Sequence, residues 1–408
     1  MRSGSALFAF ASFLAWAVPA GAQTAVPPAA GAEAFPACLA GLRRDAVSSG
    51  ISKKVVDEAT AGLAYNGRVI ELDRAQPEFF QTFWRYFETR ITEQRVQKGR
   101  DLMAQNRNLL SRVEEQYGVP ARYLVSFWAL ESNFGQFTGG FKIVESLATL
   151  ACDPRRSDFF KSELFNAFRI LAEGAVPPQK LQGSWAGAMG QTQFMPSTFM
   201  RYALDYDGDG RRDLWSSLPD VFGSSARYLS SIGWKRDQDW GREIRLPAWF
   251  AWEQADLEIK KSAAEWRSAG VTEADGSPLR DDGLTGSIIL PGGWRGPAFI
   301  VFDNFRTILN WNRSLSYAVA VGHLADRFTG KPALVATKPA DDEPMSRDAV
   351  MELQRRLTAL NYDIGNADGV VGAKTRVAAK AFQKRAGLPA DGYPTLDLLQ
   401  HLRQYAAK

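Results

Sequence analysis

Between Cys38 and about Ser231, apolar residues return at three- and four-residue spacing, in stretches such as Asp101–Gln116 and Phe159–Leu171. That is the period of an amphipathic helix. A chain patterned this way over so much of its length is confined to helix-on-helix packing. The pattern changes from Ile244 to Phe302. Short apolar runs (Ser287–Leu290, Ala298–Phe302) alternate there with turns such as Asp275-Gly276 and Pro291-Gly292-Gly293. Residues 244–302 are therefore expected to form a small β-rich insertion. Helical spacing resumes from about Asn304 and, after a break near Asn312–Ser316, runs to Phe328.

Residues 332–346 hold prolines and acids with few apolar side chains, as a linker does. Residues 347–408 read as a separate unit. Val350, Leu353, Leu357 and Leu360 mark one helix, Val377, Ala378, Ala381 and Phe382 a second, and Leu396, Leu399 and Leu402 a third. Asp368-Gly369 precedes the second helix and Asp391-Gly392 the third, with Thr375 and Thr395 near the helix starts, so the unit contains a small internal repeat. A three-helix unit behind a linker suits binding better than catalysis. The length of 408 residues leaves room for this division, at roughly 150 residues per domain.

The N-terminus is a targeting signal. Arg2 precedes a run from Ala6 to Val18 that is apolar except for Ser12, and Pro19 then leads into the small residues Ala20-Gly21-Ala22. Residues 1–22 are expected to be a signal peptide, cut before Gln23. The run is too short to span a bilayer. No cysteine stands at the cut, so neither a lipid tether nor any other membrane anchor is expected. Export favours pairing of the two cysteines, Cys38 and Cys152; two separate buried thiols are the alternative.

Composition excludes several chemistries. The net charge of +4 gives no concentrated basic stripe for nucleic acid. His323 and His401 are the only histidines, about eighty residues apart, so paired-histidine zinc motifs have no material. Two cysteines exclude a four-cysteine cluster. Twelve tryptophans suit a surface that stacks on sugars, although most belong in a core.

Three segments carry candidate chemistry. In the helix after Gly118-Val119-Pro120, Leu124, Phe127 and Trp128 share a face, and Glu131 lies seven, four and three positions beyond them. A carboxyl among aromatics loses solvation and favours its neutral form, as a general acid near neutral pH requires. The bland alternative is a glutamate paired with an arginine or leaning into water. The segment Gly183–Phe199 has three glycines in its first eight residues, which permit close backbone approach. Its Ser184, Gln191 and Gln193 offer the neutral hydrogen bonds that orient sugar hydroxyls, but a tight inter-helix loop has the same composition. In Asp205-Tyr206-Asp207-Gly208-Asp209-Gly210-Arg211-Arg212-Asp213, acids at loop positions one, three, five and nine with glycine at six match the first part of an EF-hand. The twelfth position is Ser216, so Asp220 is the candidate last ligand. An acid-rich turn neutralised by Arg211 and Arg212 is the alternative.

Together these segments resemble the lytic murein transglycosylase B family. Leu130-Glu131-Ser132-Asn133-Phe134-Gly135 looks like its catalytic-glutamate motif, and Gly183–Phe199 resembles its signature. Phe302-Asp303-Asn304-Phe305-Arg306, with Trp311-Asn312-Arg313-Ser314 and Tyr317-Ala318, is similar to its C-terminal active-site stretch. The tail resembles a type 1 peptidoglycan-binding domain through its Asp-Gly repeats and Ala381-Phe382-Gln383, with Ala373 where a proline is common.

The resemblance implies a mainly α protein. It would have a lysozyme-like catalytic domain over residues 35–331, containing the β-rich insertion, and a C-terminal three-helix peptidoglycan-binding module. It implies non-hydrolytic cleavage of the β-1,4 bond between N-acetylmuramic acid and N-acetylglucosamine, with Glu131 as acid and then base. Arg155 and Arg156 resemble paired arginines that contact lactyl or peptide carboxylates. Ser184, Gln193 and Phe194 match sugar-contacting positions, and Asn312 and Tyr317 match polar groups beside the glutamate. Asp205, Asp207, Asp209, Arg211, Asp213 and Asp220 match a structural calcium loop, and the chemistry itself needs no cofactor. The implied partners are glycan strands and stem peptides in a Gram-negative periplasm, with cell-wall synthesis or division complexes nearby. A monomer is expected. A hydrolytic muramidase and a non-catalytic wall-binding scaffold are the alternatives.

Overall fold

The computed structural model describes residues 29–75 and 81–405; the expected signal peptide lies outside them. The chain opens with helices α1 (Ala29–Ser48), α2 (Lys53–Thr60), α3 (Gly67–Ala75), α4 (Phe83–Arg90), α5 (Glu93–Gln105), α6 (Arg107–Tyr117) and α7 (Ala121–Ser132). Strand β1 (Phe141–Lys142) leads into α8 (Ile143–Ala151) and α9 (Ser157–Ala172); β2 (Gln182–Gly183), α10 (Pro196–Tyr202) and α11 (Leu218–Ser231) follow. One break was not expected from the spacing. Asp101–Gln116 carries a continuous helical period, yet α5 ends at Asn106, whose side-chain amide donates to the Leu102 carbonyl as α6 begins.

These helices pack as two lobes. One core gathers Leu110, Val113, Leu124, Phe127 and Trp128 with Phe222, Phe305, Val321 and Leu324. The other gathers Leu42, Val56, Val69, Leu147, Leu164, Phe168 and Phe199. Trp311 borders both. Within the second lobe a disulfide joins Cys38 of α1 to Cys152 at the end of α8, with Cα atoms 5.9 Å apart.

The insertion is a five-stranded antiparallel sheet in the order β4-β6-β7-β3-β5: β3 (Gly241–Arg245), β4 (Lys261–Ser262), β5 (Thr272–Glu273), β6 (Thr285–Ile289) and β7 (Ala298–Val301), with α12 (Ala263–Ser268) after β4. The sheet begins at Gly241, earlier than the apolar run suggests, because Gly241-Arg242-Glu243 pair with β7 through their backbone and need no apolar signal. Side chains alternate faces along a strand. Ile288, Ala298 and Ile300 enter the insertion's own core, whereas Ile289, Phe299 and Val301 enter the first helical lobe. A strand buried on both faces reads as a continuous apolar run. The insertion is thus welded to the lobe rather than hung from it.

Two helices complete the first lobe, α13 (Asp303–Trp311) and α14 (Leu315–Phe328). The chain then runs without helix or strand to α15 (Arg347–Ala359), α16 (Ala373–Arg385) and α17 (Leu396–Tyr405). These bury Leu353, Leu357, Ala378, Phe382, Leu399 and Leu402 together, while Val377 points outward at 68% exposure rather than joining that core. The repeat is structural. The Gln354 amide donates to Asp368 Oδ1 (3.2 Å) and accepts from Gly369 N–H (2.8 Å), and Gln383 does the same with Asp391 (2.7 Å) and Gly392 (2.7 Å). In the second copy Asp391 Oδ2 also accepts Trp294 N–H from the insertion at 2.8 Å.

The disulfide closes a separation of 114 residues, so its constraint on the unfolded chain is worth about 5 kcal/mol in the chain-entropy model. A Cys38→Ser/Cys152→Ser protein should therefore melt on the order of 10 °C lower by calorimetry. An unchanged midpoint would show that the bond constrains nothing the folded chain does not already hold.

Candidate active site

Glu131 lies in the last turn of α7. That helix stops because Asn133, Phe134 and Gly135 all take left-handed backbone angles (φ 52°, 62° and 78°), with Asn133 N–H donating to Ala129 O and Phe134 N–H to Trp128 O. Ser132 Oγ then accepts from Gly135 N–H at 2.8 Å. The following residues meet the glycine-rich segment. A Cβ on Gly139 (φ 97°) would sit 2.1 Å from the Gly183 carbonyl, so only glycine permits this approach.

The carboxyl of Glu131 is held by one oxygen. Trp311 Nε1 donates to Oε1 at 2.9 Å, and the Tyr317 hydroxyl donates to the same oxygen. Trp311 ends α13; Tyr317 begins α14, where Ser314 Oγ caps the helix by accepting Tyr317 N–H. The break between α13 and α14 therefore delivers both donors. Behind Glu131 stands an aromatic floor. The Trp311 ring lies 4.4 Å from Phe127, 5.4 Å from Phe194 and 5.2 Å from Tyr228, centroid to centroid. Desolvation there lifts the Glu131 pKa from 4.5 to about 7; the hydrogen bonds from Tyr317 and Trp311, and the Arg90 charge, oppose the rise. The same burial, with the neighbouring carboxylate, drives the Tyr317 phenol far above its ordinary range, so it stays a donor.

Other residues named from the sequence fall in different places. Gln193, at φ 51°, uses its amide N–H to hold Thr138 O (3.0 Å) and Gly190 O (2.9 Å), leaving its carbonyl without a protein donor among the described residues. Ser184 Oγ accepts from Ala188 N–H at 3.0 Å. Asn312 is exposed beside Trp311, and its Oδ1 accepts from Ser314 N–H. Phe194 is buried, so it supports the Trp311 ring from behind and offers no face to a ligand. Gln191 is also turned inward. Its Oε1 accepts from Trp128 Nε1 (2.7 Å) and its amide donates to Trp215 O (2.8 Å), which pins the end of α7. Arg155 and Arg156 lie on the turn between α8 and α9 and both grip the buried Asp73.

The sequence reading assigned no role to Trp311, although it stands next to Asn312 in the motif; an indole N–H beside a polar pair was the available signal. Arg90, whose charge acts on Glu131 from α4, carried no signal, because only the tertiary fold brings α4 to α7.

In the aspartate loop, carboxylate oxygens of Asp205, Asp207 and Asp209 converge within 4.8 Å. Backbone N–H groups of Gly208, Asp209 and Gly210 hold Asp205 in place. Asp213 is occupied by the N–H groups of Trp215 and Ser216, and buried Asp220 ties the loop's ends by accepting from Tyr206 N–H (2.6 Å) and Asp213 N–H (2.8 Å). Three hard oxygen donors in one turn fit a calcium ion.

Comparison with known proteins follows this geometry. Residues 34–326 match the model of the transglycosylase SLT domain, and residues 346–402 match a peptidoglycan binding domain. The chain is 35% identical over 246 residues to membrane-bound lytic murein transglycosylase B of Escherichia coli K12, covering 59% of this chain and 65%, just under two thirds, of that relative. SltB3 from Pseudomonas aeruginosa, solved in complex with NAG-anhNAM-pentapeptide, is 45% identical and superposes with a TM-score of 0.86 over 90% of this chain and 99% of that one. The E. coli lytic transglycosylase Slt35, solved in complex with calcium, is 29% identical with a TM-score of 0.62, over 72% of this chain and 92% of that one. The mainly helical, lysozyme-like architecture with a C-terminal helical module is thereby borne out.

A group whose folded pKa is raised gives stability that is complete below its unfolded pKa and lost as pH rises through the folded value. Glu131→Gln removes the titration. The variant should match the native protein in thermal midpoint below about pH 4.5, pull ahead between 4.5 and 7, and hold a constant lead above 7. Tyr317→Phe should lower stability further above pH 7, since it removes a donor to the ionised form. Parallel pH–stability curves for the native and Glu131→Gln proteins would refute the buried carboxyl.

Proposed function

The chain belongs to the transglycosylase SLT family, and on that premise we propose that it is an exported lytic murein transglycosylase of the periplasm. It cleaves the bond between N-acetylmuramic acid and N-acetylglucosamine without water. The observation that carries this reading is the Glu131 carboxyl, raised to about 7 and bound, among the described residues, through one oxygen. Oε2 is left to carry the proton. From there Glu131 protonates the glycosidic oxygen as the C1–O bond breaks, and the substrate's own N-acetyl oxygen closes on C1. Glu131, now a carboxylate steadied by Trp311 and Tyr317, takes the proton from the muramic C6 hydroxyl. The C6 oxygen then attacks C1, displacing the N-acetyl oxygen and giving the 1,6-anhydro ring.

Two-carboxylate glycosidases need a second acid at a fixed distance, and substrate assistance removes that need. The principal influences on the Glu131 carboxyl are desolvation, Tyr317, Trp311 and Arg90, with no second carboxylate in that set. A relative crystallised with an anhydro-sugar pentapeptide supports the same chemistry. Gln193 and Asn312, each with a spare polar group, would orient the sugars, and the peptidoglycan-binding module would hold the strand. Export fits the N-terminal signal, and no helix among the described residues is long and apolar enough to cross a membrane. Asp205, Asp207 and Asp209 would hold calcium, as a relative's calcium complex supports. Such an ion would brace the loop and take no part in bond cleavage.

Glu131→Gln should fold, bind purified sacculi and release products on the order of 100- to 10,000-fold more slowly; appreciable residual turnover would defeat the assignment. Native products should be lighter by one water than hydrolytic muropeptides in mass spectrometry. Hydrated reducing ends would instead make the enzyme a muramidase with the same acid. Intact sacculus binding without any release would leave a scaffold. Calcium should raise the native melting midpoint and leave that of Asp207→Ala unchanged; equal shifts would rule out the loop.

A further inference from the structure

The two Asp-Gly turns of the C-terminal module are built alike. Helix α15 brings Arg347, Met351 and Gln354 to the first, and α16 brings Arg376, Lys380 and Gln383 to the second at the same spacing. Each glycine is left-handed (φ 77° and 71°) and lies against the backbone of its arginine. A Cβ on Gly369 would stand 3.0 Å from the Arg347 carbonyl oxygen, and one on Gly392 2.8 Å from that of Arg376. In each turn one carboxylate oxygen of the aspartate is filled from within. Asp368 Oδ1 accepts Val370 N–H at 2.9 Å besides the Gln354 amide, and Asp391 Oδ1 accepts Tyr393 N–H at 2.8 Å besides the Gln383 amide.

The other oxygen separates the copies. Asp391 Oδ2 accepts Trp294 N–H at 2.8 Å, so the second turn is occupied by a stretch of backbone from the insertion. Gly293, the residue before that amide, has φ 75°, and an L-Cβ there would lie 3.0 Å from Asp391 Oδ2 and 3.0 Å from Tyr393 Cβ. Lys380 holds the insertion's Asp256 beside it at 3.1 Å. Asp368 is exposed, and its Oδ2 takes no donor among the described residues. Val370 stands where Tyr393 does, so the first turn keeps the same steric demand. Met351 stands where Lys380 does, so the first turn asks for no acid. The second copy thus displays what fits the first: an amide N–H preceded by a residue with positive φ and no L side chain. Glycine meets that demand. So does a D-residue, whose steric preferences mirror those of an L-residue.

We propose that the Asp368-Gly369 turn binds the backbone of a peptidoglycan stem peptide through an amide N–H that follows a D-residue. The proposal rests on the action on peptidoglycan put forward above, and adds to it the place and the chirality of peptide recognition. Stem peptides ending in D-alanines supply both the amide and the positive φ. Gln354 and Val370 fix the carboxylate through Oδ1, and Oδ2 accepts the ligand's N–H.

The test is calorimetric titration of the full chain carrying Glu131→Gln, so that nothing is cleaved. The probes are a synthetic stem pentapeptide ending in D-Ala-D-Ala and its counterpart ending in L-Ala-L-Ala. The D form should bind about tenfold tighter or more. Asp368→Asn keeps Oδ1 for Gln354 and Val370 but turns an NH2 toward the ligand's N–H. It should weaken the D form about tenfold and leave the melting midpoint unchanged. The comparison of the two peptides decides alone if Asp368→Asn does not fold. Equal affinity for both peptides, binding of neither, or an affinity that Asp368→Asn leaves intact would overturn the proposal. Sacculus cleavage by the native chain, followed alongside, would in each of those cases leave the action on peptidoglycan standing. A native chain that neither binds nor cleaves sacculi would overturn both.

Discussion

A carboxyl kept among aromatic rings, with one oxygen satisfied among the described residues, is the condition that the rest of the molecule serves. Such a group is costly to ionise, and its surroundings must not relax to solvate it. The α7–α14 contact prevents this. Ser126 Oγ donates to Val321 O at 2.7 Å across that interface, and Gln191 pins Trp128 one turn before Glu131. The two donors to Glu131 come from the helices on either side of one break, so neither can move without α13 or α14 moving. The double-faced sheet then backs that pair. Phe299 and Val301 enter the same core as Phe305 and Val321, so the insertion stiffens the lobe that holds the acid.

Much of this was legible in the sequence, and the reasons differ by residue. Glu131 could be found because its environment is local: Leu124, Phe127 and Trp128 lie on its own helix, and helical spacing alone puts them together. Tyr317 came from a resemblance, since its bond to Glu131 spans 186 positions that no periodicity connects. Gln191 and Gln193 are indistinguishable by composition, yet one locks the fold and the other leaves its carbonyl without a protein donor among the described residues. The difference is one of direction, set by the left-handed backbone at Gln193. Phe194 matched a sugar-contacting position but is buried behind Trp311, because the glycine-rich turn rotates that residue into the second core. Gly241–Glu243 were missed as strand because backbone pairing needs no apolar side chain.

Charge was the least legible property. Arg155 and Arg156 were read only through a resemblance to carboxylate-contacting arginines, and nothing in their neighbourhood along the chain names Asp73, more than eighty positions earlier. A buried ion pair is weak evidence of stability, because desolvating the ions offsets most of their attraction. Apolar residues of equal size would hold α3 to this turn at least as well. The network encloses one carboxylate fully and leaves two guanidinium edges in water.

The C-terminal module applies a related device twice. In each copy a helical glutamine closes a ring with the following Asp-Gly, and the ring leaves the second aspartate oxygen outside it. In the second copy that oxygen is spent on Trp294 N–H of the insertion, and Lys380 reaches Asp256 at 3.1 Å beside it. Burial at this seam raises the Asp391 carboxyl, while the N–H donors from Tyr393 and Trp294 and the Gln383 amide oppose the rise. The seam thus rests on an acceptor supplied with several donors and does not depend on a free charge. A repeat that began as internal symmetry has been used asymmetrically. One copy joins the module to the sheet that backs the catalytic lobe, and the other, through Asp368, keeps its spare oxygen unused by any donor among the described residues.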